Sequence, residues 1–255
     1  MLYANGIGPV KRGINRFRVK RVLNRADYIT LRDNESVEEL KALGVNKPII
    51  KLGADPAFTL KIQNKSSAMM LLQDVGLLEG EKAVCISLRK WRDCPANLQE
   101  AVAEAADYMY SKYGLIPLLL PMQYPYDAHI SRSIMSKMKC RALFLDTQLD
   151  TETTLGVISM CELVVAVRLH TLIYASSLNV PAIGIAYDPK VSGFLEYSGQ
   201  PYYVKPSEVG SISFIDIIDK CLANHKEIKE SLEKVSDEMR ERAEESAGIA
   251  ISLME

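Results

Sequence analysis

Three side chains able to carry positive charge stand where apolar runs give way to loops. Within AVRLHTLIYASSLNVPAIGIAYDPKVSGF, from Ala166 to Phe194, Arg168 and His170 follow LVVAV, and Lys190 follows AIGIA. Arg89 holds the same place after AVCIS. Continuous apolar runs of this kind suit strands buried on both faces of a parallel sheet. In an open parallel sheet, ligands bind in the crevice beyond the carboxyl ends of the strands. A helix beginning at HTLIYASSL would turn its first N–H groups toward that crevice. Arginine, histidine and lysine gathered there make a site for a phosphate, a carboxylate, or a ligand carrying both. Taken singly, each residue says less. A strand-end arginine often pairs with a surface carboxylate, and for Arg89, followed by Lys90 and Arg92, that reading has equal weight. A histidine opening a helix is often a cap. The RLHT unit carries more, because it brings both residues into one turn under a polar helix start.

The elements that must hold these residues form an alternation. Strands are expected over 2–4, 28–31 and 48–52, then over 83–88, 116–120, 142–145, 163–167, 181–186 and 201–204. Helices are expected over 10–24, 35–43, 66–75, 97–113, 128–138, 151–161, 170–178 and 191–197. A charged helical stretch, broken at least once, runs from 214 to about 251. Short apolar strands alternating with amphipathic helices mean βαβ units, a parallel sheet and an α/β class. Right-handed crossovers then place helices on both faces. Gly44, Gly76 and Gly114 are expected helix stops, and Thr151 is the expected N-cap of its helix. The polar stretch 63–65 reads as a connection. The expected division is therefore 1–65 as the remainder of an N-terminal Rossmann-like half and 66–213 as a C-terminal Rossmann-like domain. Residues 214–255 are expected as helices packing back across the halves.

Composition narrows the chemistry. The 255 residues are 48% hydrophobic and 25% charged, with a net charge of -1. Nucleic-acid binding usually shows as a basic excess, so none is expected. No run is long enough to span a membrane. Five cysteines lack metal-site spacing and read as reduced core thiols of a cytoplasmic protein. With three histidines and no ligand pair, no metal and no cofactor is expected. Other motifs are weaker. NGIGPV asks for close backbone approach or positive φ, not for a dinucleotide. Lys11, Arg12 and Arg16 are either a second anion-facing patch or a solvated helix face. Arg32 in TLRD is expected to pair with Asp33, and Asp55 in GADPAF to hold an Asx-type turn.

Several of these segments together resemble the polysaccharide pyruvyl transferase family, of the CsaB type. The matching pieces are YANGIGPV, ITLRDNESVEELKALGV, ADPAF, SLRKW and RLHTLIYASSLNVPAIGIAYDPKVSGF, in family order over most of the chain. The resemblance implies a GT-B-like architecture of two Rossmann-like parallel-sheet halves. It implies transfer of a pyruvyl group from phosphoenolpyruvate to two hydroxyls of a sugar, giving a cyclic ketal and phosphate. A sugar acceptor in a cell-wall or surface polysaccharide precursor follows. A lipid-linked acceptor would bring the protein to the inner membrane face, although no strong amphipathic anchor is visible. The family's basic segment falls on Arg168, Leu169 and His170, and its lysine on Lys190. His170 then takes the acid–base role. Arg168 and Lys190 hold the phosphate as it leaves, with Arg89 as a further contact. Asp33, Asp127 and Glu196 are the candidates for an acceptor-side base.

Family members also begin with a glycine-rich region carrying an Asn-x-Gly-Asp-Glu type segment, which this chain lacks. The first half is therefore expected to be incomplete. Two other readings remain open on the residues. A nucleotide-sugar glycosyltransferase of the same architecture would use an acidic residue such as Asp188 on the donor. A truncated anion-binding remnant would bind without turnover.

Overall fold

The computed structural model describes residues 1–63, 65–210 and 212–254. The chain folds into two compact units, Met1–Leu60 with Val235–Glu255, and Lys61–Lys234.

The first unit holds a parallel sheet in the order β1-β2-β3. Its strands are β1 (Leu2–Asn5), β2 (Tyr28–Leu31) and β3 (Ile49–Leu52). Helix α1 (Gly13–Leu23) joins the first pair and α2 (Asn34–Leu43) the second. Leu23, Ile29, Leu31, Leu40, Leu43 and Val45 form its core. Asp33 caps α2, accepting from Ser36 N–H at 2.7 Å, and Gly44 ends it at φ +72°. The NGIGPV loop is tied down by α2: Ile7 N–H donates to Ser36 Oγ at 2.7 Å, and Val10 N–H to Glu39 Oε1 at 3.1 Å. Gly8 is at φ +103°, where a Cβ would meet the Glu39 side chain. Close approach to α2 is what this loop's glycine serves.

The second unit carries a parallel sheet in the order β6-β5-β4-β7-β8-β9. Its strands are β4 (Lys82–Ser87), β5 (Leu115–Leu119), β6 (Leu143–Phe144), β7 (Cys161–Ala166), β8 (Ala182–Ile185) and β9 (Tyr203–Val204). The intervening helices are α3 (Lys65–Asp74), α4 (Leu98–Tyr113), α5 (Tyr126–Met135), α6 (Thr151–Ser159), α7 (Leu169–Ser177) and α8 (Pro189–Tyr197). Alternate residues of one strand feed two cores. Val84 and Ile86 join α4 residues on one side, while Ala83 and Cys85 join α3, α6 and α7 residues on the other. Both faces are therefore covered, which is why these strands read as unbroken apolar runs. Fully burying a side chain the size of Val84 or Ile86 contributes about 1.5–3 kcal/mol.

One helix cap shifts, while the turn held by Asp55 and the break in the C-terminal helical stretch follow expectation. The N-cap of α6 is Asp150, not Thr151: its carboxylate accepts from Thr153 N–H at 2.7 Å. The segment after Asp55 closes into a 3-10 turn, Pro56–Thr59, and Asp55 Oδ1 accepts from Ala57 N–H at 3.0 Å. The charged C-terminal stretch is two helices, α9 (Ile212–Ala223) and α10 (His225–Ser252). Where the sequence suggests boundaries at 65 and 213, the units part after Leu60 and after Lys234. Helix α9 stays with the second unit because Phe214, Ile218 and Cys221 complete its core. The later turns of α10 join the first unit, where Glu245 pairs with Lys51. Gly53 there leaves room for Ser246, which any Cβ would displace.

Candidate functional site

The strand order places the reversal of winding at β4. The chain moves from β4 outward to β5 and β6, then returns to the other side of β4 with β7. Such a switch point opens a crevice at the strands' carboxyl ends. The register fixes what enters it. Ser87 of β4 pairs with Ala166 of β7. Arg89 and Arg168 each lie two positions beyond that pair, on neighbouring strands about 4.8 Å apart. Buried Thr171 donates to Ser87 Oγ at 3.3 Å, fastening the first turn of α7 to the end of β4.

A cavity of about 460 Å³ opens at this point. Arg89, Arg168 and His170 supply its polar wall, with Tyr187 beside Arg89. Met122, Leu169 and Tyr174 supply the remainder, and no carboxylate lines it among the described residues. Helix α7 begins here with Arg168 as its N-cap and no side chain bonded across the cap. The helix N-terminus therefore adds its partial positive charge to the pocket.

The two arginines are held differently. Arg168 donates from Nε to Asp127 Oδ2 at 2.6 Å and from Nη2 to Asp127 Oδ1 at 2.7 Å. Gln123 Oε1 accepts from Nη2 at 3.0 Å. Asp127 is only 2% exposed, and it also accepts from Gln123 N–H at 2.9 Å. This two-pronged pair fixes the plane of the guanidinium and leaves the Nη1 side without a bond among the described residues. Arg89 has no carboxylate partner among them. Its Nη2 donates to Tyr187 Oη, and its guanidinium carbon lies 4.8 Å from the Tyr187 ring centroid. Its Nε is buried without any acceptor among the described residues. A buried donor left unmet costs about 1–3 kcal/mol, which an anionic ligand would recover. Trp91 packs against Tyr187 in turn, its ring 5.2 Å from that of the tyrosine. His170 is exposed at the mouth, with its ring 6.3 Å from that of Tyr174.

Arg89, Arg168, Leu169 and His170 are thus brought together. Lys190 is not among the lining residues. It enters α8 one residue after Pro189, and its N–H donates to the capping Asp188 at 3.0 Å. That role of Asp188 is a helix cap. The side chains weighed as acceptor-side bases have other partners. Asp33 caps α2, Asp127 holds Arg168, and Glu196 accepts from Tyr203 Oη at 2.7 Å. Arg32 pairs with Asp55 at 2.8 Å, against 3.8 Å to its neighbour Asp33. Arg16 is taken by Glu39 at 3.2 Å and by the Ala42 carbonyl at 2.9 Å, so it faces no anion patch. Sequence reasoning passes over Tyr187 and Gln123; both sit in loops at strand ends, the one signal that could have found them.

Among the described residues, no group of three or more His, Cys, Asp or Glu side chains could hold a metal ion. No helix among them is long and apolar enough to cross a membrane.

Comparison with known proteins agrees with this layout. The amylovoran biosynthesis protein AmsJ of Erwinia amylovora is 22% identical over 260 residues, covering 94% of this chain and 61% of that protein. The chain thus spans about three fifths of its length. Among solved structures, the UDP-GlcNAc 2-epimerase of Methanocaldococcus jannaschii matches with a TM-score of 0.64 at 14% identity, covering 99% of this chain and 69% of that one. A glycosyltransferase from Rickettsia africae matches with a TM-score of 0.64 at 9% identity, covering 97% and 69%. At these identities the likeness shows the fold alone, which is GT-B-like and built on parallel sheets. The pattern of one family covers residues 1–189, from β1 through the switch-point pocket to the start of α8, and by it the chain belongs to the polysaccharide pyruvyl transferase family.

Proposed function

We propose that the chain serves polysaccharide biosynthesis by transferring a pyruvyl group from phosphoenolpyruvate to two hydroxyls of a sugar, and that the switch-point pocket receives the donor. One observation carries this reading. In a chain of this family, the pocket presents two arginines and a histidine with no lining carboxylate among the described residues, and one arginine keeps a buried Nε without an acceptor. Phosphoenolpyruvate brings a carboxylate and a phosphate, which suit two guanidinium groups set side by side.

The reaction asks for a definite set of moves. Both sugar oxygens bond to the carbon that bears the phosphate, and the bond from that carbon to the phosphate oxygen breaks. Of the two hydroxyl protons, one ends on the methylene carbon, making it a methyl group, and one on the departing phosphate. An imidazole can give and take a proton near neutrality, and His170 at the mouth is given that task. Arg168, fixed by Asp127, and Arg89 bind the anionic groups and stabilise the charge that grows on the phosphate. Leu169 contributes pocket wall and backbone at the start of α7. Lys190, three residues after Tyr187, is assigned to the phosphate from the start of α8.

Calorimetric titration with phosphoenolpyruvate tests the donor. Saturable binding that is lost in Arg168→Ala and weakened in Arg89→Ala is expected. Binding of UDP-glucose in its place would turn the assignment toward a nucleotide-sugar donor. A folded chain that binds neither would remove the pocket from the donor's path.

A further inference from the structure

The outer face of α1 departs from the pattern of a solvated helix. Its inner side is ordinary: Leu23 is buried in the first unit's core and Val19 packs against it. The opposite side should then be polar. Instead Ile14, Phe17 and Val22 are 59%, 62% and 61% exposed. At 100° per residue they share one arc of about 140° with Arg18 and Arg21. Around them the chain is strongly basic. Residues 11–25 contain Lys11, Arg12, Arg16, Arg18, Lys20, Arg21 and Arg25, and no Asp or Glu. Among the described residues, only Arg16 of these is committed to a carboxylate, Glu39. This cluster is local, since the whole chain has 31 basic and 32 acidic residues. A shallow cleft of about 420 Å³ lies along the same helix, with Lys20, Arg21, Arg25 and Lys47 in its wall beside Phe17.

We infer that this face of α1 is a docking surface for a bilayer rich in anionic lipid. The cationic side chains meet the headgroup phosphates, and Lys20, Arg21, Arg25 and Lys47 make the cleft a seat for one of them. Ile14, Phe17 and Val22 enter the boundary between headgroups and acyl chains. The exposed apolar side chains favour a lipid surface over a soluble polyanion, because phosphates in water give Ile14 and Val22 nothing to bury against. Neither the charge nor the apolar area suffices alone, and membrane association of a folded protein generally needs both. The inference does not depend on the identity of the donor.

Sedimentation of the 255-residue chain with vesicles tests it. One set is phosphatidylglycerol with phosphatidylcholine in equal parts, and the other is phosphatidylcholine alone. The protein is expected to pellet with the first only, and to be released as salt rises well above about 0.1 M. The variant Arg18→Ala with Arg21→Ala is expected to lose about 25-fold in partition, at about five-fold per residue. Ile14→Ser with Phe17→Ser is expected to lose a comparable amount at unchanged charge. Circular dichroism confirms that these surface variants are folded. A folded protein that ignores the anionic vesicles would overturn the inference, as would binding that the double arginine variant retains. Binding that needs the arginines but is indifferent to Ile14 and Phe17 would mean that charge alone holds the protein at the headgroups with no apolar insertion, and would also overturn it.

Discussion

Both units place an arginine just past a central strand, and the two are enclosed to different degrees. In the first unit Arg32 follows β2, and Asp55, itself buried, accepts from its Nη1 at 2.8 Å. Asp33 stands 3.8 Å from its Nε, and Gly6 leaves no room on that side for even a Cβ. The positive charge there is enclosed by the protein's own carboxylates. In the second unit Arg168 is likewise paired, but along one edge only, and Arg89 beside it has no carboxylate among the described residues. A strand-end arginine is therefore not diagnostic. What separates a structural arginine from a candidate ligand contact is whether its donors are already met.

The largest effect should come from Arg168→Ala. It removes a charged two-pronged donor from the pocket and leaves Asp127 buried without its partner. Affinity for phosphoenolpyruvate should fall by about 100-fold or more, equivalent to ~3 kcal/mol. Stability to urea should fall by about 2–3 kcal/mol, since a buried carboxylate is stranded. Equal affinity in variant and parent would break the comparison at its centre.

Arg89→Ala and Arg32→Ala sharpen the contrast. Arg89 has few bonds to lose, so its removal should cost less than about 1 kcal/mol of stability but about 10-fold or more in donor affinity. Arg32→Ala should do the reverse. Freeing the buried Asp55 should cost about 1–2 kcal/mol of stability, with donor affinity unchanged. Parallel calorimetry and urea melts read both quantities. Similar profiles for the two variants would erase the distinction between enclosed and open arginines.

Much of this contrast is legible in the amino-acid order alone. The apolar runs AVCIS and LVVAV give strands, and their ends give Arg89, Arg168 and His170. Those strands are buried on both faces, so tertiary context and local pattern agree. The partners are harder to see. Asp127 opens α5 after β5, two strands from β7, yet Arg168 reaches it across the end of β4, a pairing that alternation along the chain does not encode. Tyr187 enters the pocket because β8 neighbours β7, and the same non-local order conceals it. Arg32 pairs with Asp55 rather than adjacent Asp33 because neighbouring strands carry their ends together, while Asp33 is drawn to the first turn of α2. Local chemistry can be read to within a residue or two: Asp150 outcompetes Thr151 as a cap, being one position earlier with a carboxylate to offer. On α1 the sequence groups Ile14, Phe17, Val19 and Val22 as one mixed apolar face opposite a basic one, but only Val19 of the four packs on the core, because the core side is set by Leu23 and the strands beneath it.

The smallest effect tests whether ionic groups that hold the fold can be told from those that hold ligand within the second unit itself. Asp219 on α9 accepts from Lys112 at 2.8 Å and from the Tyr108 and Tyr113 hydroxyls, tying α9 to α4. The Lys112 ammonium holds the Asp219 carboxyl below the usual carboxylate range, with the two tyrosine hydroxyls adding to the effect and partial burial opposing it. A depressed carboxyl contributes stability that is fully present above its unfolded value, about 3.9. That contribution is lost as pH falls through the lower folded value. Melting curves of the parent should therefore drop below about pH 4, and Asp219→Asn should flatten part of that drop. About a third of the Asp219 side chain remains open to solvent, which screens the pair, so the change should be modest. Donor affinity between about pH 5 and 8 should be the same in both proteins, because Asp219 lines no part of the pocket and stays ionised throughout that range. An affinity that moved with Asp219→Asn would mean the α4–α9 tie reaches the pocket through the sheet, and the division between the two kinds of charged group would fail.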